Sequence, residues 1–246
     1  MQARSFMIRG EMPTVPDKPS MLAVIEACSV MNALAERERV HLAEQSYMAY
    51  AERSEAIWIA GAASEFFAVV GTGFVKMTRT TPQGAEVAVE LLGPGQCFGL
   101  LAALEGRIFP LSAIAVTHCW YLKVPTRVLL EMYKESAQLR DQMLRSLAPR
   151  LRRAHDMMAR MSTGKVEQRI AAVLLILSES YGRTGKLGGI RLNVPLTRQD
   201  IAEMAGTTVE TCIRVMSKWQ KAEVVTTDRQ VITVRNPDAL AAALVE

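Results

Sequence analysis

The C-terminal part of the chain contains the segment Leu196-Thr-Arg-Gln-Asp-Ile-Ala-Glu-Met-Ala-Gly206-Thr-Thr-Val-Glu-Thr211, and its residues predict the local structure. It predicts a short helix over 198–205, which a capping box opens because Thr197 and Asp200 can bond each other's backbone N–H groups. Gly206 ends that helix, since glycine readily adopts the positive φ that a tight turn needs. Thr208 then predicts the start of a second helix over 209–221. Two helices joined by a short turn with glycine are typical of a helix-turn-helix.

The residues around these two helices predict a winged version of the motif. Strands over 223–227 and 231–234, with a turn at Asp228-Arg229, form a β-hairpin that would be the wing. A buried helix is predicted over 165–181 and a polar, glycine-rich loop over 182–189. The inner face of the second helix is apolar and consists of Cys212, Val215, Met216 and Trp219.

A second helix in this position enters the major groove of DNA with its N-terminal residues at the base edges. Arg214 can bond guanine through two hydrogen bonds, and Glu210, four residues earlier, can accept one from cytosine N4. The two side chains can also hold each other in place, and the alternative is an ordinary surface ion pair. The predicted base-reading residues are Val209, Glu210, Ile213 and Arg214.

Phosphate contacts are predicted where hydroxyl, amide and basic side chains lie at the two helix N-termini and along the exposed face of the second helix. These residues are Thr197, Arg198, Gln199, Thr208, Thr211 and Lys218. For Lys218, a lysine that is simply solvated is an equally good interpretation.

The N-terminal half predicts a small β-barrel or jelly roll, because short β-prone runs alternate with glycine-containing turns. The predicted strands are 56–59, 65–70, 73–78, 86–92, 111–116 and 119–124. Short helices are predicted over 21–28, 36–44 and 126–134.

A long helix is predicted over 139–161, and its apolar residues recur at alternating steps of three and four. This seam consists of Leu144, Leu147, Leu151, Ala154, Met158 and Met161. A narrow apolar stripe on a long helix favours pairing with a second copy over packing within one chain. Pro149 predicts either a kink or the start of a second helix, and Ser162-Thr-Gly164 predicts the end.

Composition restricts the class of protein. The chain has 246 residues, and 29 basic against 25 acidic side chains give a net charge of +4, which only weakly indicates a polyanionic partner. The four cysteines lack a C-x-x-C pair, which predicts buried thiols rather than zinc ligands or disulfides. The longest uncharged stretch, 108–122, is shorter than the roughly 18 apolar residues of a spanning helix, so we expect a cytoplasmic protein without a membrane segment.

The sequence leaves two other classes of protein as alternatives to a DNA-binding protein. A catalytic, cupin-like barrel would need a metal set of two histidines and a carboxylate. The chain has three histidines, and none lies two or four residues from another, so we predict that it is not an enzyme. The second alternative is an interaction module whose helix-turn-helix has lost its affinity for DNA.

Together these motifs resemble the CRP/FNR superfamily of bacterial transcription regulators, over almost everything after residue 20. The stretch 196–211 carries the resemblance, with Arg214, Asn236-Pro-Asp-Ala-Leu240 and Gly93-Pro-Gly95-Gln-Cys-Phe-Gly99. The resemblance implies an α+β fold with a double-stranded β-helix sensor (a jelly roll like a cyclic-nucleotide-binding domain), a dimerisation helix and a winged helix-turn-helix. The corresponding boundaries are a disordered arm 1–19, a sensor 20–135, a dimerisation helix 136–162 and a DNA-binding domain 163–246.

The resemblance also implies partners. It implies a homodimer on double-stranded DNA, with a pseudo-palindromic operator whose half-sites lie about one helical turn apart. RNA polymerase is the expected partner if the protein is an activator. The effector is not identified, and a dimer that is active without one fits nearly as well. The pocket region would include Gly95, Gly99, Leu100, Arg107 and Ser112.

Departures from the family pattern argue against several ligands. Leu100 stands where cyclic-nucleotide binders place an acid, and Leu111 where they place an arginine, which argues against cyclic AMP. Only Cys28 lies near the region where the iron–sulfur branch clusters its cysteines. Haem is the remaining candidate cofactor, in an alternative nitric oxide or redox-responsive regulator, and its only candidate axial ligands are His41, His118 and His155.

Overall fold

The computed structural model describes residues 16–185, 188–228 and 230–244, and at 160–163 it describes the backbone alone. Of the predicted arm 1–19, residues 1–15 lie outside the described residues, and residues 16–19 are described. Its last residues lie along Trp120, whose Nε1 donates a hydrogen bond to the carbonyl oxygen of Pro16 at 2.8 Å. The described end of the arm is therefore packed on the sensor.

Eight strands and four short helices form the sensor. The strands are β1 (Tyr47–Ala51), β2 (Ala56–Trp58), β3 (Phe66–Thr72), β4 (Val75–Thr80), β5 (Glu86–Leu92), β6 (Cys97–Phe98), β7 (Ser112–Ala115) and β8 (Cys119–Pro125). The helices are α1 (Met21–Ala27), α2 (Glu36–Glu44), α3 (Leu100–Glu105) and α4 (Thr126–Glu135). Two antiparallel four-stranded sheets, in the orders β1-β8-β3-β6 and β2-β7-β4-β5, confirm the predicted jelly roll.

The strand β3 shows how the jelly roll is built. Phe67 and Val69 pack towards α1, α2 and α4, whereas Ala68 and Val70 pack between the two sheets. Successive side chains of a strand point to opposite faces, so β3 is buried on both. Sequence analysis did not predict β1 or the two-residue β6, because neither has a long β-prone run with turn residues on both sides.

One long helix, α5 (Ala137–Thr163), leads out of the sensor, and it passes through Pro149 without ending. The predicted start of a second helix at Pro149 is therefore wrong. The first turns of α5 are anchored, since Leu139 and Met143 are each only 3% exposed and belong to the apolar core around α1, α2 and α4. The helix ends at Thr163, within the predicted break.

The C-terminal part is a winged helix-turn-helix. Its helices are α6 (Val166–Tyr181), α7 (Arg198–Ala205), α8 (Val209–Lys221) and α9 (Pro237–Ala242). Its strands are β9 (Gly182–Thr184), β10 (Ile190–Pro195), β11 (Val225–Asp228) and β12 (Val231–Val234), paired in the order β11-β12-β10-β9. The predicted wing is present, although Arg229 of its turn lies outside the described residues.

One prediction for this part of the chain is wrong, because β9 replaces the beginning of the loop predicted over 182–189. Arg183 pairs with Arg191 of β10, and Thr184 pairs with Ile190. This short edge strand has no apolar alternation and forms through backbone bonds alone. Gly182 allows it to follow α6 directly, since a Cβ there would collide with the carbonyl oxygen of Ser178.

Candidate DNA-binding interface

The N-terminus of α7 is capped as the sequence predicts. The Thr197 hydroxyl accepts a hydrogen bond from the Asp200 backbone N–H at 3.1 Å, and the Asp200 carboxylate accepts one from the Thr197 N–H at 2.9 Å. Gly206 then ends the helix with a φ of 59° in the left-handed region. The cap therefore fixes where α7 begins, and the Gly206 conformation sets the direction in which the chain turns from α7 into α8.

The helix α8 separates a buried face from an open one. Thr208 caps it by accepting a hydrogen bond from the Thr211 backbone N–H at 3.3 Å. The predicted inner residues Cys212, Val215, Met216 and Trp219 are all buried. The opposite face carries Glu210, Ile213 and Arg214, all exposed. The buried face holds α8 firmly while its N-terminal half presents side chains to solvent.

The four predicted base-reading residues differ in their surroundings. Val209 is half-buried and packs on the core of the domain, whereas Ile213 remains 48% exposed. The predicted mutual contact of Glu210 and Arg214 is not formed, since the ion pairs found in the described part of the chain do not include it. An exposed pair gains little in water, because solvent screens the attraction. Both side chains therefore remain available for base edges.

The predicted phosphate-contacting residues already make bonds within the chain. Arg198 donates from Nη2 to the Thr227 hydroxyl at 2.8 Å, which ties α7 to the wing, and burial lowers the pKa of this guanidinium. The amide of Gln199 donates to Glu203 at 2.9 Å. The hydroxyl groups of Thr208 and Thr211 lie 3.1 Å apart.

The alternative interpretation of Lys218, a lysine that is simply solvated, is not what the structure shows. Its Nζ lies 3.0 Å from a carboxylate oxygen of Glu167 on α6, and the two side chains are 66% and 42% exposed, respectively. An exposed pair of this kind exchanges readily for a phosphate contact. Arg214, Ser217, Lys218 and Lys221 line one open groove along α8. Sequence reasoning missed Ser217 and Lys221, although Lys221 lies seven residues after Arg214 and hence on the same side of the helix.

The apolar seam of α5 lies largely on the surface of the single chain. Leu144 is 71% exposed, Leu151 58% and Met158 63%, and Ala154 is exposed as well. Leu147 is half-buried, and the side chain of Met161 lies outside the described residues. A row of large apolar side chains in water is unfavourable and marks an interaction surface.

The interior of the sensor is filled by aromatic side chains. The Trp58 ring stacks on Phe109 with centroids 4.0 Å apart and on Phe98 with centroids 5.0 Å apart. Gly99 lies against this stack, since a Cβ there would be 2.8 Å from the Phe109 ring. The rings occupy the space between the two sheets next to the predicted pocket region.

The residues of that pocket region do not converge on one site. Leu100 is 3% exposed and packs in the apolar core, and Gly95 packs against the backbone of Ala27. The Arg107 side chain is 79% exposed and forms an ion pair with Glu105 at 3.8 Å. Ser112 accepts a hydrogen bond from the backbone N–H of Ala60 at 3.0 Å.

The three histidines, which are the predicted candidate ligands of haem, lie in three separate parts of the described structure. His41 on α2 and His155 on α5 are exposed. His118 precedes β8, and its Nδ1 lies 2.6 Å from the Tyr50 hydroxyl. The His118 imidazole is therefore already hydrogen-bonded, and the aromatic stack occupies the sensor interior.

The four cysteines, Cys28, Cys97, Cys119 and Cys212, are buried free thiols, as predicted. Burial raises the pKa of Cys119 to about 12 and that of Cys212 to about 11, so both remain protonated at neutral pH. The described helices include none that is both long and apolar enough to cross a membrane.

Comparisons with known proteins agree with this architecture. Residues 49–136 match the family model of the cyclic nucleotide-binding domain, and residues 168–243 match that of the Crp-like helix-turn-helix domain. FixK2 from Bradyrhizobium japonicum has the same fold, with a TM-score of 0.72 at 23% identity over 80% of this chain and 96% of that one.

Two curated relatives are similar over most of their length. The global nitrogen regulator of Synechocystis sp. is 30% identical over 193 residues, which are 77% of this chain and 84% of that protein. The fumarate and nitrate reduction regulatory protein of Salmonella typhi is 28% identical over 191 residues, 78% of this chain and 76% of that protein. The chain belongs to the CRP/FNR superfamily and is a transcription regulator of that type, with a helix-turn-helix DNA-binding domain.

Proposed function

We propose that the protein binds its operator as a homodimer that pairs along α5, with α8 of each protomer in the major groove of one half-site. The observation that carries this proposal is the change in burial along α5. The helix starts in the sensor core at Leu139 and Met143, and then carries Leu144 and Leu151 out at 71% and 58% exposure. A second copy of the same helix would cover that seam by knobs-into-holes packing.

The dimer would have two identical helix-turn-helix domains, which we call the reading heads. They would recognise an inverted repeat with half-sites about one helical turn apart. In each half-site Arg214 would bond guanine and Glu210 would accept from cytosine, while Ile213 would contact a thymine methyl group. Phosphates would replace the partners that Gln199 and Lys218 have within the chain. Such a complex belongs in the cytoplasm, and RNA polymerase is the expected partner wherever the operator activates a promoter.

We further propose that DNA binding needs no small molecule inside the sensor. The stack of Trp58, Phe98 and Phe109 supports this, because a ligand between the sheets would first have to displace buried rings. Leu100 and Leu111 stand where a cyclic phosphate and ribose would need charged partners, and they provide none. Of the two sequence-based alternatives, the dimer that is active without an effector is therefore favoured.

The assignment of α8 is tested by footprinting on duplex DNA that the wild-type protein selects from a random pool. Arg214→Ala should weaken sequence-specific protection by about 1–3 kcal/mol, since one bidentate base contact is lost. Arg79→Ala, which removes an exposed arginine of the sensor, is the control and should leave protection unchanged. Equal protection by the Arg214→Ala variant would remove the base-reading role of this residue.

Haem stays a prediction without a supporting contact in the described residues. The absorption spectrum of protein freshly purified from haem-replete cells tests it. A Soret band would restore the alternative of a nitric oxide or redox-responsive regulator.

A further inference from the structure

A cluster of buried charges joins the sensor to the helix-turn-helix. Lys76 of β4 places its Nζ 3.1 Å from Asp200 Oδ1 and 2.6 Å from Glu203 Oε2, and both carboxylates belong to α7. The three side chains are 11%, 9% and 6% exposed, respectively. We call Lys76, Asp200 and Glu203 the Lys76 cluster.

The charges of this cluster depend on one another. Burial opposes the charge on Lys76, but its hydrogen bond to Glu203 and the attraction of both carboxylates more than compensate and raise its pKa. Burial likewise opposes the charge on Asp200, and bonds from Thr197 and the Lys76 ammonium outweigh it and lower its pKa. Without Lys76, two buried carboxylates would face each other unpaired, which is strongly unfavourable.

Other contacts also join the sensor to the DNA-binding domain, and they involve α6, α7, α8 and the wing. Ala88, Leu91 and Val116 of the sensor share one apolar core with α6, α7 and α8. Tyr181, at the end of α6, donates its hydroxyl to the carbonyl oxygen of Leu91 at 2.8 Å. At the wing, Arg53 donates to the Gln230 side chain at 3.1 Å. Apolar contacts alone tolerate sliding, whereas the directional bonds of the cluster fix the angle of α7.

The sensor is also fixed to α5. Arg150 of that helix forms an ion pair with Glu90 of β5 at 2.9 Å and donates to the Cys97 carbonyl oxygen at 2.7 Å. Glu90 pairs with Met77 of β4, the neighbour of Lys76, so the paired strands β4 and β5 join the contact with α5 to the contact with α7. In this docked arrangement Glu210, Ile213 and Arg214 of α8 are all exposed, so the contact orients the reading face without covering it.

We propose that Lys76 is a positioning residue for DNA recognition: through Asp200 and Glu203 it sets the orientation of each reading head relative to α5, and so the half-site spacing that the dimer accepts. This inference rests on the proposed homodimer and deepens it. When both heads are held at a fixed angle, the second head binds the second half-site without a further entropic cost of ordering. A loosened head has to be ordered first, and the dimer loses that advantage.

The test measures Kd for three duplexes derived from the selected inverted repeat. One has the selected spacing, one has the half-sites moved apart by about two base pairs, and one has a single intact half-site. The variants are Lys76→Met, Glu203→Gln and their combination. The matched control is Arg79→Met, which removes an exposed positive charge from the same strand.

For Lys76→Met we expect affinity for the selected spacing to fall about tenfold, because the two heads are no longer pre-oriented. Affinity for the single half-site should equal that of the wild type, which also shows that the helix-turn-helix of the variant is folded. Glu203→Gln should act in the same direction and the double variant should add little, since both residues belong to one contact. Arg79→Met should keep the wild-type spacing preference.

Two results would overturn the role of Lys76 and leave the proposed homodimer intact. The Lys76→Met variant would have the same spacing preference as the wild type, or it would bind the selected spacing more tightly than the wild type, which would make the cluster inhibitory. A wild-type protein that binds two half-sites no better than one would instead refute the homodimer, and the role of Lys76 with it.

Discussion

Leu151→Glu should separate the proposed dimer, because it places a carboxylate in the centre of the α5 seam. A fully buried leucine side chain contributes about 2 kcal/mol, so burying the 58% of Leu151 that is exposed in one chain contributes about 1.2 kcal/mol. Twofold symmetry brings two copies together, which gives about 2.3 kcal/mol per dimer. That loss alone raises the dimer dissociation constant about fiftyfold, and repulsion between the two facing carboxylates adds to it.

Sedimentation velocity over a range of protein concentrations measures this dissociation constant. The matched control is Arg152→Glu, at the exposed neighbouring position outside the seam, which changes the charge by more than Leu151→Glu does. The control should remain dimeric at concentrations where Leu151→Glu is monomeric. Equal dissociation constants for the two variants and the wild type would refute the seam as the dimer interface.

Two further predictions concern the sensor and its contact with the DNA-binding domain. Trp58→Ala should lower the free energy of unfolding of the sensor by about 3–5 kcal/mol in urea, since it removes the centre of the aromatic stack, whereas the half-buried Trp120→Ala should cost less. Burial raises the pKa of Tyr181 to about 12. The unfolded chain loses this proton near pH 10, so the folded state binds more protons between about pH 10 and 12 and wild-type stability falls there by up to about 2 kcal/mol. Tyr181→Phe should be less stable than wild type at pH 8, because it loses the hydrogen bond that the hydroxyl donates, and should lose less stability between pH 10 and 12. A parallel decline of both proteins would show that Tyr181 does not titrate in this way.

The helix-turn-helix was predictable from sequence because its signals are local. Thr197 and Asp200 lie three residues apart, and Gly206 needs only its own backbone freedom. All the residues that predict the motif therefore lie within one short segment. The seam was equally visible, since Leu144 and Leu151 are separated by two turns of one helix. Of the two alternatives predicted for Pro149, the start of a second helix is excluded, because a helix already anchored in the sensor can tolerate the loss of one backbone bond.

Features that depend on distant residues were not predictable in the same way. Lys76 and Asp200 are 124 positions apart, and sequence reasoning assigned Asp200 to the helix cap alone. The stack of Trp58, Phe98 and Phe109 likewise requires two strands and a loop to meet, and no spacing rule brings them together. The polar strand β9 was missed because it is held by backbone bonds at a sheet edge, which leave no pattern of apolar side chains.

The most direct test of the account is the stoichiometry and affinity of extensively dialysed protein on duplex DNA carrying the selected inverted repeat. We expect two chains per duplex without any added small molecule, and an equilibrium constant that cyclic AMP or a cell extract leaves unchanged. One chain per duplex would contradict the dimer that pairs along α5. Specific binding that appears only after cyclic AMP or extract is added would contradict a sensor whose interior is filled by its own side chains.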